Sequence, residues 1–455
     1  MTDLYQGLPF PRRIIAIVTT LIGSLMLMID TSIASVVLPT IAKEMHLPSS
    51  SVVIVVTIYQ LILAMTVMSM AALGDRFGHR RLYQAGFILH MVGAALSFFA
   101  DGLFLLVATR ALQALGAAAA SSMTVALLRE IYPAQRLGAG LGVNTIANAT
   151  GTSLGPVLGG FMLAVGNWHW VFAAIVPFSL VVLAMSRTLP EPRPRSHAFD
   201  TKGAVLCALT FGLVIAGLEG LIHSDHSALA LATVLSGVVL AVFFVRHEMR
   251  ESDPVLPVDL LAMPPIAFST IACFTATLAG IVLMLFMPFR LQNGYGFGPA
   301  ELGGLLSMYA VGSLCTAPAA GLLADRVSVS LLSIVAMIVA TIALGCVAFL
   351  PENPTHFEIG WRIWLCGVGF GIFSSPNARL IIASAPPQRT ASAGSIFSTT
   401  RMLSQAVGAT VLAALLAFGL GDGQIPLFVA MALTTLAGAI SVLSYRYSLA
   451  RKATG

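Results

Sequence analysis

Charge is the scarcest thing in this chain. Of its 455 residues only 9% are Asp, Glu, Lys or Arg, against about 25% in an average soluble domain. So few ions cannot cover a surface of this size, so lipid must cover much of it. Cysteine is scarce too. Cys207, Cys273, Cys315, Cys346 and Cys366 are odd in number, lie in apolar stretches and form no CxxC. They read as small core residues, not as a disulfide framework or a zinc site. No Walker-type phosphate loop and no glycine fingerprint for a dinucleotide occurs. That argues against an ATP-driven pump and against a bound cofactor, and leaves an ion gradient as the energy source. A basic run with interleaved aromatics is also missing. The net charge of +5 therefore points to membrane topology and not to nucleic acid.

What the chain has is apolar length, with 57% hydrophobic residues. A helix needs about 20 apolar residues to cross a hydrocarbon layer of ~30 Å. Fourteen stretches meet that ruler, from Ile14–Val37 to Pro426–Leu443. Without the pair Ala204–Ile222 and Ala228–Val245 the count is twelve. The first stretch is too long for a cleavable signal, so Arg12 and Arg13 read as a topological anchor. An all-α integral membrane protein follows.

The basic residues set its direction. With the N-terminus inside, the inner segments hold Arg76, Arg80, Arg81, Arg129, Arg136, Arg187, Arg246, Arg250, Arg326 and Arg389. The reading is a multi-pass protein with both termini in the cytosol. The chain also repeats itself. Leu73-Gly-Asp-Arg76 returns as Leu323-Ala-Asp-Arg326, and Pro133-Ala-Gln-Arg136 as Pro386-Pro-Gln-Arg389. Arg110 has a counterpart in Arg362. Three ordered matches imply a six-helix half over 1–187, a linker with two inserted helices over 188–262, and a second six-helix half over 263–455. Two related halves around a central site is a transporter plan.

Four motifs go further. The loop after span 2 runs from Ala71 through Leu-Gly-Asp-Arg-Phe-Gly-His to Arg81. Span 5 contains Gly151-Thr-Ser-Leu-Gly-Pro-Val-Leu-Gly-Gly160. Span 1 ends with Asp30-Thr-Ser-Ile-Ala-Ser-Val-Val-Leu-Pro39, and span 4 carries Arg110-Ala-Leu-Gln-Ala-Leu-Gly116. Over essentially its whole length the chain resembles the major facilitator superfamily, and more closely its drug:proton antiporters with fourteen spans. It departs from that pattern at Ala71, His79 and Ala114, where the family has Gly, a basic residue and Gly. The resemblance implies alternating access, coupling to protons and export of hydrophobic or cationic compounds. It implies gating by Asp75 and Arg76 against a second copy at Asp325 and Arg326. It also implies that Gly151, Gly155, Pro156 and Gly159 form an antiporter motif. Physically, glycines four apart let two helices touch, and Pro156 bends its helix.

Asp30 is the sharpest single residue. It lies inside an apolar run, where a charge costs roughly 2.5–3.5 kcal/mol or more. It is the expected proton carrier. At 1.5 Å per residue, Asp30 lies about 24 Å from the inner end of span 1, and Arg110 about 10 Å from the outer end of span 4. Both fall in the outer half, so Arg110 is the expected partner. Glu219 lies near the outer end of span 7, where snorkelling to water is the first expectation and lining the substrate cavity the weaker one. Tyr59, Gln60, Gln113, Arg401 and Gln405 are weaker candidates for lining the substrate cavity, with polar packing as the plain alternative. His223, Asp225 and His226 could hold a metal, but a solvated loop explains them, and no metal site is expected. The expected partners are a small-molecule substrate, protons and lipid, for a monomer in a bacterial inner membrane that is not an enzyme. Export of one specific metabolite is the first alternative, and a non-transporting sensor the second.

Overall fold

A computed structural model describes residues 7–133, 136–191, 200–223, 227–251, 256–324, 326–386, 389–421 and 423–454. Asp325, Asp225 and His226 lie outside them, as does much of the polar linker. Among the described residues the chain is helical, with no strand. Lipid offers no partner for a backbone amide, so each apolar run must satisfy its own hydrogen bonds.

The first group of rods is α1 (Phe10–Glu44), α2 (Ser49–Phe77), α3 (His79–Ser97), α4 (Leu103–Ile131), α5 (Leu137–Val165) and α6 (Trp168–Thr188). A hairpin follows, α7 (Thr201–His223) and α8 (Ser227–Glu248). The second group is α9 (Pro264–Phe289), α10 (Pro299–Leu323), α11 (Val329–Ala348), α12 (His356–Ser384), α13 (Thr390–Ala417) and α14 (Ile425–Thr454). Twelve of these are long and apolar enough to cross a membrane; α3 and α5 are not among them. α3 opens with His79, Arg80 and Arg81, and α5 is rich in Gly, Asn and Thr. Several rods outrun their apolar windows. α1 ends at Glu44 instead of Val37, and α14 at Thr454 instead of Leu443. Helical hydrogen bonding continues into the interface, where side-chain polarity no longer matters. Ends are set locally: Gly78, with φ 96°, closes α2 and starts α3, and Thr355 with Glu358 forms a capping box on α12.

The two groups pack on one plan. In the first, α1 lies against α5, α2 and α3 against α4, and α6 against α1 and α3. In the second, α9 lies against α13, α10 and α11 against α12, and α14 against α9 and α11. The groups meet along two seams, α5 on α10 and α2 on α13, which are images of each other. α7 packs on α2 and α13, so the hairpin flanks one seam and leaves the other bare. α8 shows side chains such as Leu231, Leu235, Val239 and Phe243 to the outside.

The core decides which end is shut. Away from the termini, Val37, Leu38 and Val52 share one cluster with Val282, Phe286 and Leu302. At the end that carries the termini, Phe87, Met123 and Leu127 form one core, and Ile266, Ile381 and Ile396 another. The apolar core is continuous across both groups at the far end and divided at the terminal end. Arg290, at the far end, donates to the last carbonyls of α11, Val347 and Ala348, at 3.2 and 3.0 Å. At the terminal end Arg389 grips Asp259 through two hydrogen bonds, one of 2.9 Å from Nη2. The guanidinium holds the Asp259 carboxyl below its ordinary range. The five cysteines are free; Cys315 is exposed and not a core residue.

Candidate functional site

The polar centre of the first group is built from α1, α2, α3 and α4. Asp30 and Arg110 are both buried, at 0% and 1% exposure, and Arg110 Nη1 donates to Asp30 Oδ1 at 2.8 Å. The same nitrogen donates to Gln113 Oε1 at 2.5 Å. The guanidinium lies over Tyr59, 4.2 Å from the ring centroid, and 5.2 Å from Phe172. An aromatic face favours a cation where water is excluded. Gln113 is turned by Ser97, whose hydroxyl donates to Thr109 at 2.8 Å. Tyr59 and Gln113 therefore belong to this cluster and not to an open cavity, and Gln60 is buried as well.

His90 completes the cluster, and sequence reasoning missed it. It is fully buried on α3. Its Nδ1 lies 3.0 Å from the carbonyl oxygen of Gln113. A carbonyl only accepts, so Nδ1 carries a hydrogen, and in the neutral ring Nε2 is left as a lone pair. That lone pair faces Asp30 Oδ2 at 3.6 Å. Neither atom has a hydrogen-bond partner. Two acceptors thus confront each other, and one proton between them would satisfy both. The available signal was a histidine in the middle of an apolar run, which deserves the same suspicion as an acid there.

α5 connects this centre to the other group. A Cβ at Gly155 would fall 1.9 Å from Ser32 Oγ and 3.0 Å from the backbone of Ile29 and Ile33. Gly151 meets Leu25 and Met28, and Gly159 meets Ile33. The glycines at four-residue spacing therefore seat α5 on α1, around Asp30. The neighbouring face seats α5 on α10: a Cβ at Gly303 would lie 2.3 Å from the Pro156 carbonyl oxygen.

At the divided end, Asp75 does not reach the second group. His79 Nε2 lies 3.2 Å from Asp75 Oδ1, and its Nδ1 2.8 Å from Glu130 Oε1. The Glu130 hydrogen bond is the main reason that the His79 pKa is raised. Arg76 lies over Phe77, and Arg326 shows only a backbone bond to Leu323.

Glu219 corrects an expectation. It does not snorkel. It is buried on α7 and accepts a hydrogen bond of 2.9 Å from Thr410 of α13. The neighbouring helix, invisible in a local reading, covers it. Gln405 is half-buried on α13, while Arg401 is exposed. A further cluster went unforeseen: Asp200, His247 and Glu251 bring ligand atoms within 4.8 Å of one another. Asp200 already caps α7 through Gly203 N at 2.9 Å and binds His247 at 3.0 Å, which accounts for the arrangement as a helix cap.

A two-group helical bundle with a buried ion pair and an apolar core divided at one end has the architecture of a membrane transporter. The model of the Major Facilitator Superfamily matches residues 20–409, and again 269–454. The chain belongs to that superfamily. It is 36% identical over 442 residues to the uncharacterized transporter YebQ of Escherichia coli (strain K12), covering 96% of this chain and 97% of the relative. It is 25% identical over 416 residues to the riboflavin transporter RibZ of Clostridioides difficile (strain 630), with 91% and 90% covered. It is 28% identical over 422 residues to the multidrug efflux pump LfrA of Mycolicibacterium smegmatis (strain ATCC 700084 / mc(2)155), with 90% and 83% covered. Among solved structures, a POT family transporter in complex with a thioalcohol-conjugated peptide superposes with a TM-score of 0.71 at 14% identity, over 95% of each chain. That likeness concerns the fold.

Proposed function

We propose that this transporter is a proton-coupled antiporter that exports hydrophobic compounds by alternating access. The observation that carries the reading is the approach of Asp30 Oδ2 to His90 Nε2, 3.6 Å apart and each without another hydrogen-bond partner, beside Arg110. One proton turns two opposed acceptors into a donor and an acceptor. A hydrogen bond needs about 2.7–3.2 Å, so protonation also draws α1 and α3 together by about half an ångström. It weakens the hold of Arg110 on Asp30 at the same time. α1 passes that change to α5 through Gly155, and α5 passes it to α10 through Pro156 and Gly303.

The chain is divided as 1–187, 188–262 and 263–455. It crosses the membrane fourteen times: α3 and α5 fall short in mean composition, yet each turns apolar side chains outward, Ile88, Leu89 and Val92 on α3 and Ile146, Val157 and Phe161 on α5, as a lipid-facing helix does. With the basic loops and both termini in the cytosol of a bacterial inner membrane, the divided end opens inward. Asp30 is then deprotonated and held by Arg110, ready for a compound to enter. After the swing outward a proton displaces Arg110 from Asp30, and the return swing carries it in. The protein works as a monomer. Similarity to LfrA supports several substrates. Similarity to RibZ supports a second reading, export of one metabolite.

The test is proton movement in inside-out vesicles with a preformed pH gradient. A panel of neutral, cationic and anionic compounds is added, with Asp30→Asn and His90→Gln beside the wild type. Gradient loss on addition in the wild type, abolished in Asp30→Asn and reduced in His90→Gln, is the expected result. Equal responses in wild type and Asp30→Asn would move the proton site elsewhere. A response to a single compound would favour the metabolite reading.

A further inference from the structure

We propose that Arg401 binds an anionic group, a carboxylate, phosphate or sulfonate, on the compound that this protein transports. The inference rests on the reading that the opening between the two helix groups is the substrate path.

Arg401 stands 11 residues past Thr390, about 16 Å along α13 and so near mid-membrane depth. α13 is packed by α2, α7, α9 and α12. From residue 392 to residue 416 its side chains are buried or half-buried, and Arg401 alone is exposed. α8, which faces outward, behaves differently and exposes a series of apolar side chains. The outer side of α13 is therefore covered, and the exposure of Arg401 is to the space between the groups. Its neighbour agrees. Met402, the next residue, packs against the core of the first group.

Charged side chains at this depth face a bundle interior or a water-filled path and mark the route of a substrate or ion, and an exposed guanidinium there can exchange its water for an anion. Among the described residues Arg401 makes no side-chain hydrogen bond and no ion pair. Of the 19 acidic residues, Asp30 lies deep in a span and Glu219 nearer the outer end of one. Asp30 is held by Arg110. Glu219 is bonded to Thr410, nine residues further along α13, about 13 Å from the level of Arg401. The half-buried Gln405, one turn on, adds an amide beside it. Apolar walls, one free guanidinium and a neighbouring amide suit an amphipathic organic anion, which a guanidinium grips through paired N–H donors.

The test uses two probes that differ by one group. 8-Anilinonaphthalene-1-sulfonate carries a sulfonate, and N-phenyl-1-naphthylamine lacks it. Binding of each to the purified full chain in detergent is measured against a protein-free micelle blank. The expected result is a preference for the sulfonate of about tenfold or more in the wild type. That ratio should fall towards one in Arg401→Gln and recover in part in Arg401→Lys. A ratio unchanged in a folded Arg401→Gln would overturn the proposal. So would loss of the Arg401-dependent preference when phosphatidylglycerol is added, with no flux of the sulfonate in vesicles; that outcome gives the site to a lipid headgroup. Binding in detergent needs no proton gradient. Failure of the Asp30→Asn experiment would therefore sink the coupling and leave this ratio standing, and the reverse also holds.

Discussion

α1 carries Asp30 at the centre of the first helix group, while the matching stretch of α9 in the second, residues 280–284, is Gly, Ile, Val, Leu and Met. The other members of the cluster have changed as well. Arg362, the counterpart of Arg110, turns back to the Glu358 carbonyl at 2.7 Å and lies over Trp361. Tyr309 stands where the repeat places Tyr59, but it packs on Phe370, 5.8 Å away, with no cation above it. The two groups thus share a packing plan and differ in their polar interiors. The first holds a buried acid, its cation and a histidine. The second holds a free arginine on α13, where the matching position of α5 is Asn148. A duplicated scaffold can divide its work, and the proposals above give protons to the first copy and cargo to the second.

Substitutions of the paired arginines break that comparison most directly. Arg110→Ala leaves Asp30 buried without a cation and should destabilise the protein by about 3–5 kcal/mol, while shifting the pH dependence of transport. Arg362→Ala in the second group should cost under about 1 kcal/mol. Thermal unfolding in detergent reads both, and equal losses would deny the asymmetry.

The seams come next. Gly303→Ala forces a methyl towards the Pro156 carbonyl and should cost about 1–3 kcal/mol and slow the swing between states. Flux in vesicles beside thermal unfolding separates the two effects. Gly304, whose added Cβ meets nothing, is the control.

His79 gives a smaller effect with a defined sign. Its pKa is raised by Glu130 and Asp75, so its contacts stabilise the fold fully below the ordinary histidine value and lose that stabilisation as pH rises through the raised one. The gap in unfolding temperature between wild type and His79→Gln should be widest under mildly acidic conditions and close at alkaline pH. A gap that does not vary with pH would sink this account. Smallest of all, Asp259→Asn removes a half-exposed pair worth about 1 kcal/mol or less. The Asp259 pKa is lowered, so the pair's contribution is present above the ordinary carboxylate value and lost as pH falls through the lower one. Urea unfolding at neutral pH and near pH 3 should show a larger loss at neutral pH than in acid.

Much of this was legible in the residues. The apolar stretches coincide with the helices, and the glycine spacing of α5 read correctly as a close face. Asp30 and Arg110 were matched by depth alone, since 1.5 Å per residue converts position in a span into height. His90 was passed over because a single neutral histidine resembles core packing until its two neighbours are known. Glu219 was sent to water because α13, which covers it, lies some 190 residues away in the chain. Arg401 was visible as a polar residue, but that it lacks an acid could not be read from its own helix.

Residue type and order by themselves determined which segments leave water and how the chain is duplicated. Transfer into lipid is a property of each segment alone, and duplication is written in the order of motifs. Tertiary structure alone decided at which end the apolar core is divided, that Asp30 lies 3.6 Å from His90, and that Arg401 has no ion-pair partner among the described residues. Those are distances between helices far apart in sequence, and only packing brings such side chains together or keeps them apart.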